Sequence, residues 1–258
     1  MATIRRSARG GRPSMPRRRR PAVDHRTLAG RARSERTRRA LVESAMLVFA
    51  QRGADASVID EVIALARVAR GTFYNHFRGN DDLFDAVAAE VGNQLVALVD
   101  PRVLAEDDAA ARVATGVRLV LAIAVAHPRL AAFLARSGPR AAGPGSVAAA
   151  SVPRDVALGM AQGRFTRMPV ELATDLVVGP VFAAFQAMRA PLPRGYAGGL
   201  ARGILQALGV PPARARRLAE RPLDPPIVPD DSLLARAEAR ADATIAERPR
   251  RRAKRAPQ

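Results

Sequence analysis

The chain has no cysteine and no tryptophan, and aromatic residues make up only 4% of its 258 positions. Without cysteine there is no disulfide framework, no thiolate metal site and no cysteine nucleophile. The three histidines, His25, His76 and His127, lie far apart and form neither an HExxH nor a His-x-His pair, so no zinc-enzyme signature is present and neither metal nor cofactor is expected. A glycine pattern for nucleotide binding and a paired nucleophile and base are also missing, so an enzyme is not expected. No apolar h-region follows the basic N-terminus. The longest uncharged apolar run, residues 176–188, has 13 positions and contains Pro180. A bilayer-spanning helix needs roughly 20, so a cytoplasmic protein is expected. Lysine is nearly absent: of 42 basic residues only Lys254 is Lys.

What is abundant is alanine and arginine. Hydrophobic content is 48%, rich in Ala, with no surviving run of alternating β-branched residues, which favours helix over strand. The net charge is +18 and unevenly spread: +9 over residues 1–35, −1 over 36–95, +8 over 96–222 and +2 over 223–258. Such a charge suggests a polyanionic partner, although the Arg bias also fits a compositional bias of the source genome.

Residues 1–33 are Arg-, Pro- and Gly-rich without periodicity and read as a disordered basic arm, either a grip on DNA phosphate or a solvated tail. From Ser34 the pattern is helical. Leu41, Ala45, Val48 and Phe49 fall on one face, with Ser34 as N-cap and Gly53 as the stop. Ser57 is placed to cap a short second helix ending near Ala66, with Asp60 at the capping-box position. A third short helix is expected over 69–77. Asn80 then caps a fourth, with Asp81, Asp82 and Asp85 near its positive end. Further helices are expected over about 107–126, 128–136, 146–163, 170–189 and 196–208. The Pro-rich segment from 223 carries one more candidate, 232–247, with a thin apolar stripe of Leu233, Leu234, Ala237, Ala241 and Ile245 that either docks weakly or stays solvated.

The third helix concentrates the scarce aromatics in GTFYNHF, residues 71–77. At 100° per residue Phe73 and Phe77 lie within about 40° of each other and make an inward face. Gly71 and Asn75 lie opposite, flanked by Thr72 and Tyr74, with Arg70 and His76 at the edges. A mid-helix Gly costs roughly 1 kcal/mol relative to Ala, which is easier to understand if something must approach the backbone. Each polar residue taken singly reads as solvated surface. Two short helices joined by a tight turn, the second with this outer face, form as a set the helix-turn-helix arrangement that enters the DNA major groove.

The run ALVESAMLVFAQRGADASVIDEVIALARVARGTFYNHFRGNDDLFDAV resembles the N-terminal domain of the TetR (tetracycline repressor) family of bacterial transcriptional regulators over roughly residues 35–94. The resemblance implies an all-α protein of about nine helices. It has a helix-turn-helix domain over 34–94, an effector-binding and dimerisation domain over 95–222, and a basic tail over 223–258. By position it places Arg70 and Gly71 at base edges and Tyr74 and His76 mainly on phosphate, with Ser57, Val58, Thr72, Asn75 and Asn80 as further DNA contacts. An Arg bonded bidentately to guanine discriminates by about 1–3 kcal/mol, whereas phosphate contacts set register. Three residues depart from the pattern: Arg67 stands for the usual turn Gly, Ala69 for the capping Ser, and Asn80 for a Lys. A non-Gly residue in a left-handed turn costs roughly 1–2 kcal/mol unless the turn is built differently.

The resemblance further implies a homodimer through about 170–208, where Gly179 and Gly198–Gly199 permit close helix approach; the same helices also read as ordinary core. Phe133, Met160, Arg164, Phe165, Phe182 and Phe185 are candidate contacts for a small-molecule effector, and each also reads as core or surface. The function expected is a homodimeric, nucleoid-associated repressor released from a palindromic operator by its effector. The alternatives are a non-specific basic DNA-binding protein and a helical enzyme with an accessory DNA-binding segment. The near-neutral 36–95 segment speaks against recognition by charge alone.

Overall fold

The first helix starts earlier than its apolar periodicity suggests. α1 runs His25–Arg52, so Ser34 lies within it and caps nothing. The computed structural model describes residues 25–142 and 148–253. The expected arm, 1–33, is therefore helical from His25 onward, and the rest of it lies outside the described residues. Residues 1–36 and 37–258 separate into two units. In the first, positions 29–36 are all exposed. Arginine is a good helix former, so a solvated helix needs no apolar stripe there.

The second unit continues α1 and adds α2 (Ile59–Ala66), α3 (Arg70–Tyr74), α4 (Asn80–Leu104), α5 (Ala109–Ala126), α6 (Pro128–Ser137), a 3₁₀ turn (Gly138–Ala142), α7 (Ala148–Ala161), α8 (Val170–Ala187), α9 (Tyr196–Ala207), α10 (Pro212–Glu220) and α11 (Leu233–Ala253). No strand occurs among the described residues. Eleven α-helices lie among the described residues, close to the nine or so expected. α10 begins where Pro211 and Pro212 suggest a break, because Pro at the first helical position is pre-set for a helix start. Pro101 does not end α4 either; it sits in its last turn. The expected boundary at 94/95 falls inside α4, so one continuous helix serves both parts and no linker separates them. The C-terminal helix is buried through Leu233, Leu234, Ala237 and Ala241, so it docks firmly.

α5 is the centre of the helical domain and packs against α4, α6, α7, α8, α9 and α10. Asp108 caps it by accepting from the Ala110 amide at 3.1 Å, and the same carboxylate takes Arg214 of α10 at 2.5 Å. α5 and α8 are both long and apolar enough to cross a bilayer, contrary to the run-length argument. α5 is instead 61% buried in this core, whereas α8 is only 22% buried. Phe84 of α4 joins the two halves. Its ring meets Phe49 edge-on at 5.2 Å and lies 6.0 Å from Phe133.

Candidate DNA-binding surface and effector cavity

α2 and α3 are joined by a three-residue turn that does use the left-handed conformation. Arg67 has φ 57° and ψ 44°, and the amides of Arg67 and Val68 bond the carbonyls of Ala64 and Ile63 at 3.3 and 3.2 Å. Ala69 precedes α3 in an extended conformation and makes no side-chain cap. Phe73 and Phe77 are buried, as their spacing requires, and Phe73 meets Tyr74 edge-on at 5.2 Å. Arg38 of α1 covers the Phe77 ring at 5.5 Å.

The opposite face of α3 is open. Arg70, Gly71, Tyr74 and Asn75 are exposed, and Thr72 and His76 are half-buried. Tyr74 is 49% exposed, unusual for so large a ring in a chain this poor in aromatics. A methyl group added at Gly71 would meet nothing within 4 Å, so no internal packing demands glycine there. The Arg70 guanidinium is paired with Asp60 of α2 at 2.6 Å. Tyr74, by hydrogen bonding, and then Asp60, by charge, hold its pKa above the ordinary value. The base-reading candidate is thus pre-oriented, and a nucleic-acid acceptor has to displace an exposed carboxylate to take it.

One expected DNA contact, Val58, and one expected helix cap, Asn80, are corrected. Val58 is wholly buried, and its side chain, at the N-cap position of α2, belongs to the core rather than facing DNA. Asn80 does not cap α4, because Gly79 occupies the cap position and Asn80 is the first helical residue. Its side-chain oxygen accepts from the Val58 amide at 3.3 Å instead, tying α4 to the start of α2. Ser57 is exposed but lies one residue outside the α2 cap. Sequence reasoning missed Arg140, whose guanidinium lies 4.5 Å over Phe84 and pairs with Asp81 at 2.7 Å and Asp55 at 3.3 Å. Separations of 59 and 85 residues carry no local signal for such a contact.

A cavity of about 190 Å³ lies among α4, α5, α6, α7 and α8. Its walls are apolar, with Leu95, Val99, Val113, Val177, Phe182 and Phe185 among them; Asp100, Arg112 and Asp155 line it as well. Asp155 is buried and pairs with Arg112 at 3.4 Å and Arg154 at 3.0 Å, while Arg154 also reaches Asp100 at 3.2 Å. Of the candidate effector contacts, Phe182 and Phe185 line this cavity. Phe133, Met160, Arg164 and Phe165 do not. Phe133 packs on Phe84, and Arg164 pairs with Asp108 at 3.7 Å. The Met160 sulfur accepts from the Met168 amide at 3.5 Å. The Phe165 ring fills the space beside Gly159, where a Cβ would lie 2.1 Å from it. Bulk and hydrophobicity selected Phe133, Met160 and Phe165, and both are served equally well by packing; Arg164 was selected as a polar contact, and its charge is met by Asp108 instead.

A helix-turn-helix with an exposed polar recognition face, joined by one continuous helix to a helical domain with an apolar cavity, defines a one-component DNA-binding regulator. The sequence profile of bacterial regulatory proteins of the tetR family matches residues 41–87, and that of the tetracyclin repressor-like C-terminal domain matches 108–221. RolR in complex with resorcinol is 30% identical, covering 77% of this chain and 100% of its own, with a TM-score of 0.53. A tetR family regulator from Shewanella sp. PV-4 has a TM-score of 0.59 at 20% identity, over 68% and 99% of the two chains. AibR bound to isovaleryl coenzyme A and operator DNA has a TM-score of 0.50 at 17% identity, over 68% and 99%. No curated protein matches. The chain belongs to the TetR family of bacterial transcription regulators. This is a family of cytoplasmic DNA-binding regulators rather than enzymes, and the chain is a transcription regulator of that kind.

Proposed function

We propose that the protein is a homodimeric, nucleoid-associated repressor that binds a palindromic operator through α3 and leaves it when a small molecule enters the cavity. The observation that carries this reading is the outer face of α3: Arg70, Gly71, Tyr74 and Asn75 stand exposed on a helix anchored from behind by Phe73. Arg70 reads a base edge, Tyr74 and His76 take phosphates, and Asn80 acts indirectly by holding the start of α2. Selection of bound DNA from a random pool with the full chain, at roughly physiological salt, should enrich an inverted repeat. Its half-sites should be centred about one DNA turn, roughly 34 Å, apart. Arg70→Ala should weaken binding by about 1–3 kcal/mol and relax the preference at one position per half-site. Uniform weakening with unchanged preference would assign Arg70 to phosphate. Recovery of no site at all would favour the non-specific basic binder.

The second copy is argued from α8, an 18-residue apolar helix of which only 22% is buried. Leu172 is 50% exposed, and the α9 glycines Gly199 and Gly203 have open space where a Cβ would stand. Small residues beside an uncovered apolar helix suit close packing against a copy of the same surface.

The cavity suits a compact, largely apolar effector of about one ring whose hydroxyl or amine donors meet Asp100 and Asp155; the resorcinol bound to RolR is the natural first probe. Val177→Phe, which places a ring in this space, should leave operator binding intact and abolish release by the effector. Titration of the preformed protein–DNA complex checks this. Release at the wild-type concentration would put the effector elsewhere.

A further inference from the structure

Two helix ends in this molecule receive their caps from a third helix far away in sequence. α6 is preceded by His127, whose side chain makes no capping bond. The Arg129 amide, in the first turn of α6, donates instead to Glu238 of α11 at 2.7 Å, and the Arg129 guanidinium lies 3.8 Å from the same carboxylate. At the C-terminus of α2 the turn amides occupy the carbonyls of Ala64 and Ile63, and the Leu65 carbonyl accepts from Arg240 of α11 at 3.1 Å. An acid thus meets the positive end of α6 and a guanidinium the negative end of α2, the signs that helix dipoles favour.

The spacing within α11 makes this possible. Glu238 and Arg240 are two residues apart and face different sides, whereas Arg236 and Arg240 are four apart and share a face. That shared face closes on Glu43 of α1. Its side chain is only 8% exposed, and it pairs with Arg236 Nε and, at 3.3 Å, with Arg240 Nη2. A buried carboxylate in α1 has to be paired, and α11 supplies both cations. Ser232 caps α11 by accepting from the Ala235 amide at 3.1 Å, and buried Leu233, Leu234 and Ala237 anchor its first turns. The tetracyclin repressor-like profile ends at 221, before this helix begins.

We propose that α11 is an intramolecular strap that holds the turn of the helix-turn-helix against the effector domain. Arg236 and Arg240 are its positioning residues on α1 and α2, and Glu238 is its hold on α6, the helix that contributes Leu134 to the cavity. A displacement of α6 by an effector is then carried by α11 to the last turn of α2, next to the left-handed Arg67 and the start of α3. The strap stands on the free protein's geometry; its consequence for DNA rests on the function proposed above.

The test compares the full chain with Arg240→Met, which keeps the apolar stem and loses the donors, and with Arg240→Lys, which keeps a cation with a single donor nitrogen. Amide hydrogen exchange over residues 63–68 should speed by roughly tenfold in Arg240→Met, as expected for loss of its charge-assisted hydrogen bond to the Leu65 carbonyl, the one of its two bonds that falls in this segment. Exchange in α5 should not change, and Arg240→Lys should recover part of the protection. Binding to the DNA site selected by the unmodified protein should weaken in the same order. Unchanged exchange over 63–68 would overturn the strap, and faster exchange with unchanged DNA affinity would overturn its positioning role. Because exchange needs no DNA, it decides the strap even if selection recovers no site, an outcome that would sink the functional reading instead.

Discussion

Phe84→Ala should lower the free energy of unfolding by about 3–5 kcal/mol, in the range for a phenylalanine removed from a packed core. The ring is fully buried, meets Phe49 edge-on at 5.2 Å, lies 6.0 Å from Phe133 and is covered by the Arg140 guanidinium. Its loss leaves a cavity where the helix-turn-helix and the effector domain share a core. A further part comes from the cation–π contact, worth about 0.5–2 kcal/mol. In a chain of this size each kcal/mol moves the melting temperature by roughly 2–4 °C, so a fall of about 10 °C is expected. Urea denaturation measures the free energy directly. Phe84→Leu, which retains most of the apolar volume, should lose less. A loss below about 1 kcal/mol for the alanine variant would mean that the site collapses around the gap and that the two halves do not depend on this ring.

Asp155→Ala should cost about 3 kcal/mol of stability and weaken the effector response. Asp155 is buried beside the cavity and neutralises Arg112, which is only 16% exposed, and Arg154. Removing one member of a buried ion pair leaves the other uncompensated and typically costs about 3–5 kcal/mol. The lower end applies because Arg154 reaches solvent and keeps Asp100 as a second partner. The double variant Asp155→Leu with Arg112→Met should be more stable than Asp155→Ala alone, since no charge is then left unpaired. A double variant as unstable as the single one would show that packing, not charge, sets the cost. In either background the effector should bind more weakly, because one of the two carboxylates proposed to meet it is lost; isothermal titration with resorcinol or a related ring compound reads this separately from stability.

The helix-turn-helix was legible because its determinants are local. Phe73 and Phe77 four residues apart dictate which side of α3 turns inward, and therefore which residues are left outside. The departure at Arg67 was legible only against the family pattern, which has Gly there; the structure shows that Arg67 takes the left-handed conformation. Local rules failed where a residue stands at an element's edge. Val58 and Asn80 were assigned by position in a motif, and only packing showed that one is core and the other a brace for its neighbour. Ser34 looked like a cap because the apolar stripe begins after it, yet a solvated arginine-rich helix needs no stripe.

By itself, then, the sequence determined the all-helical class, the recognition helix and its outward face, because each follows from periodicities of three to four residues, while the family came from the resemblance of the 41–87 motif run. Tertiary structure alone decided the cavity, the Arg112–Asp155 pair, Arg140 on Asp81 and the clasp of Glu43 by Arg236 and Arg240. Those partners lie between 43 and 197 residues apart. The choice among many equally suitable arginines was made by which helices pack together, and no local pattern in the chain records that choice.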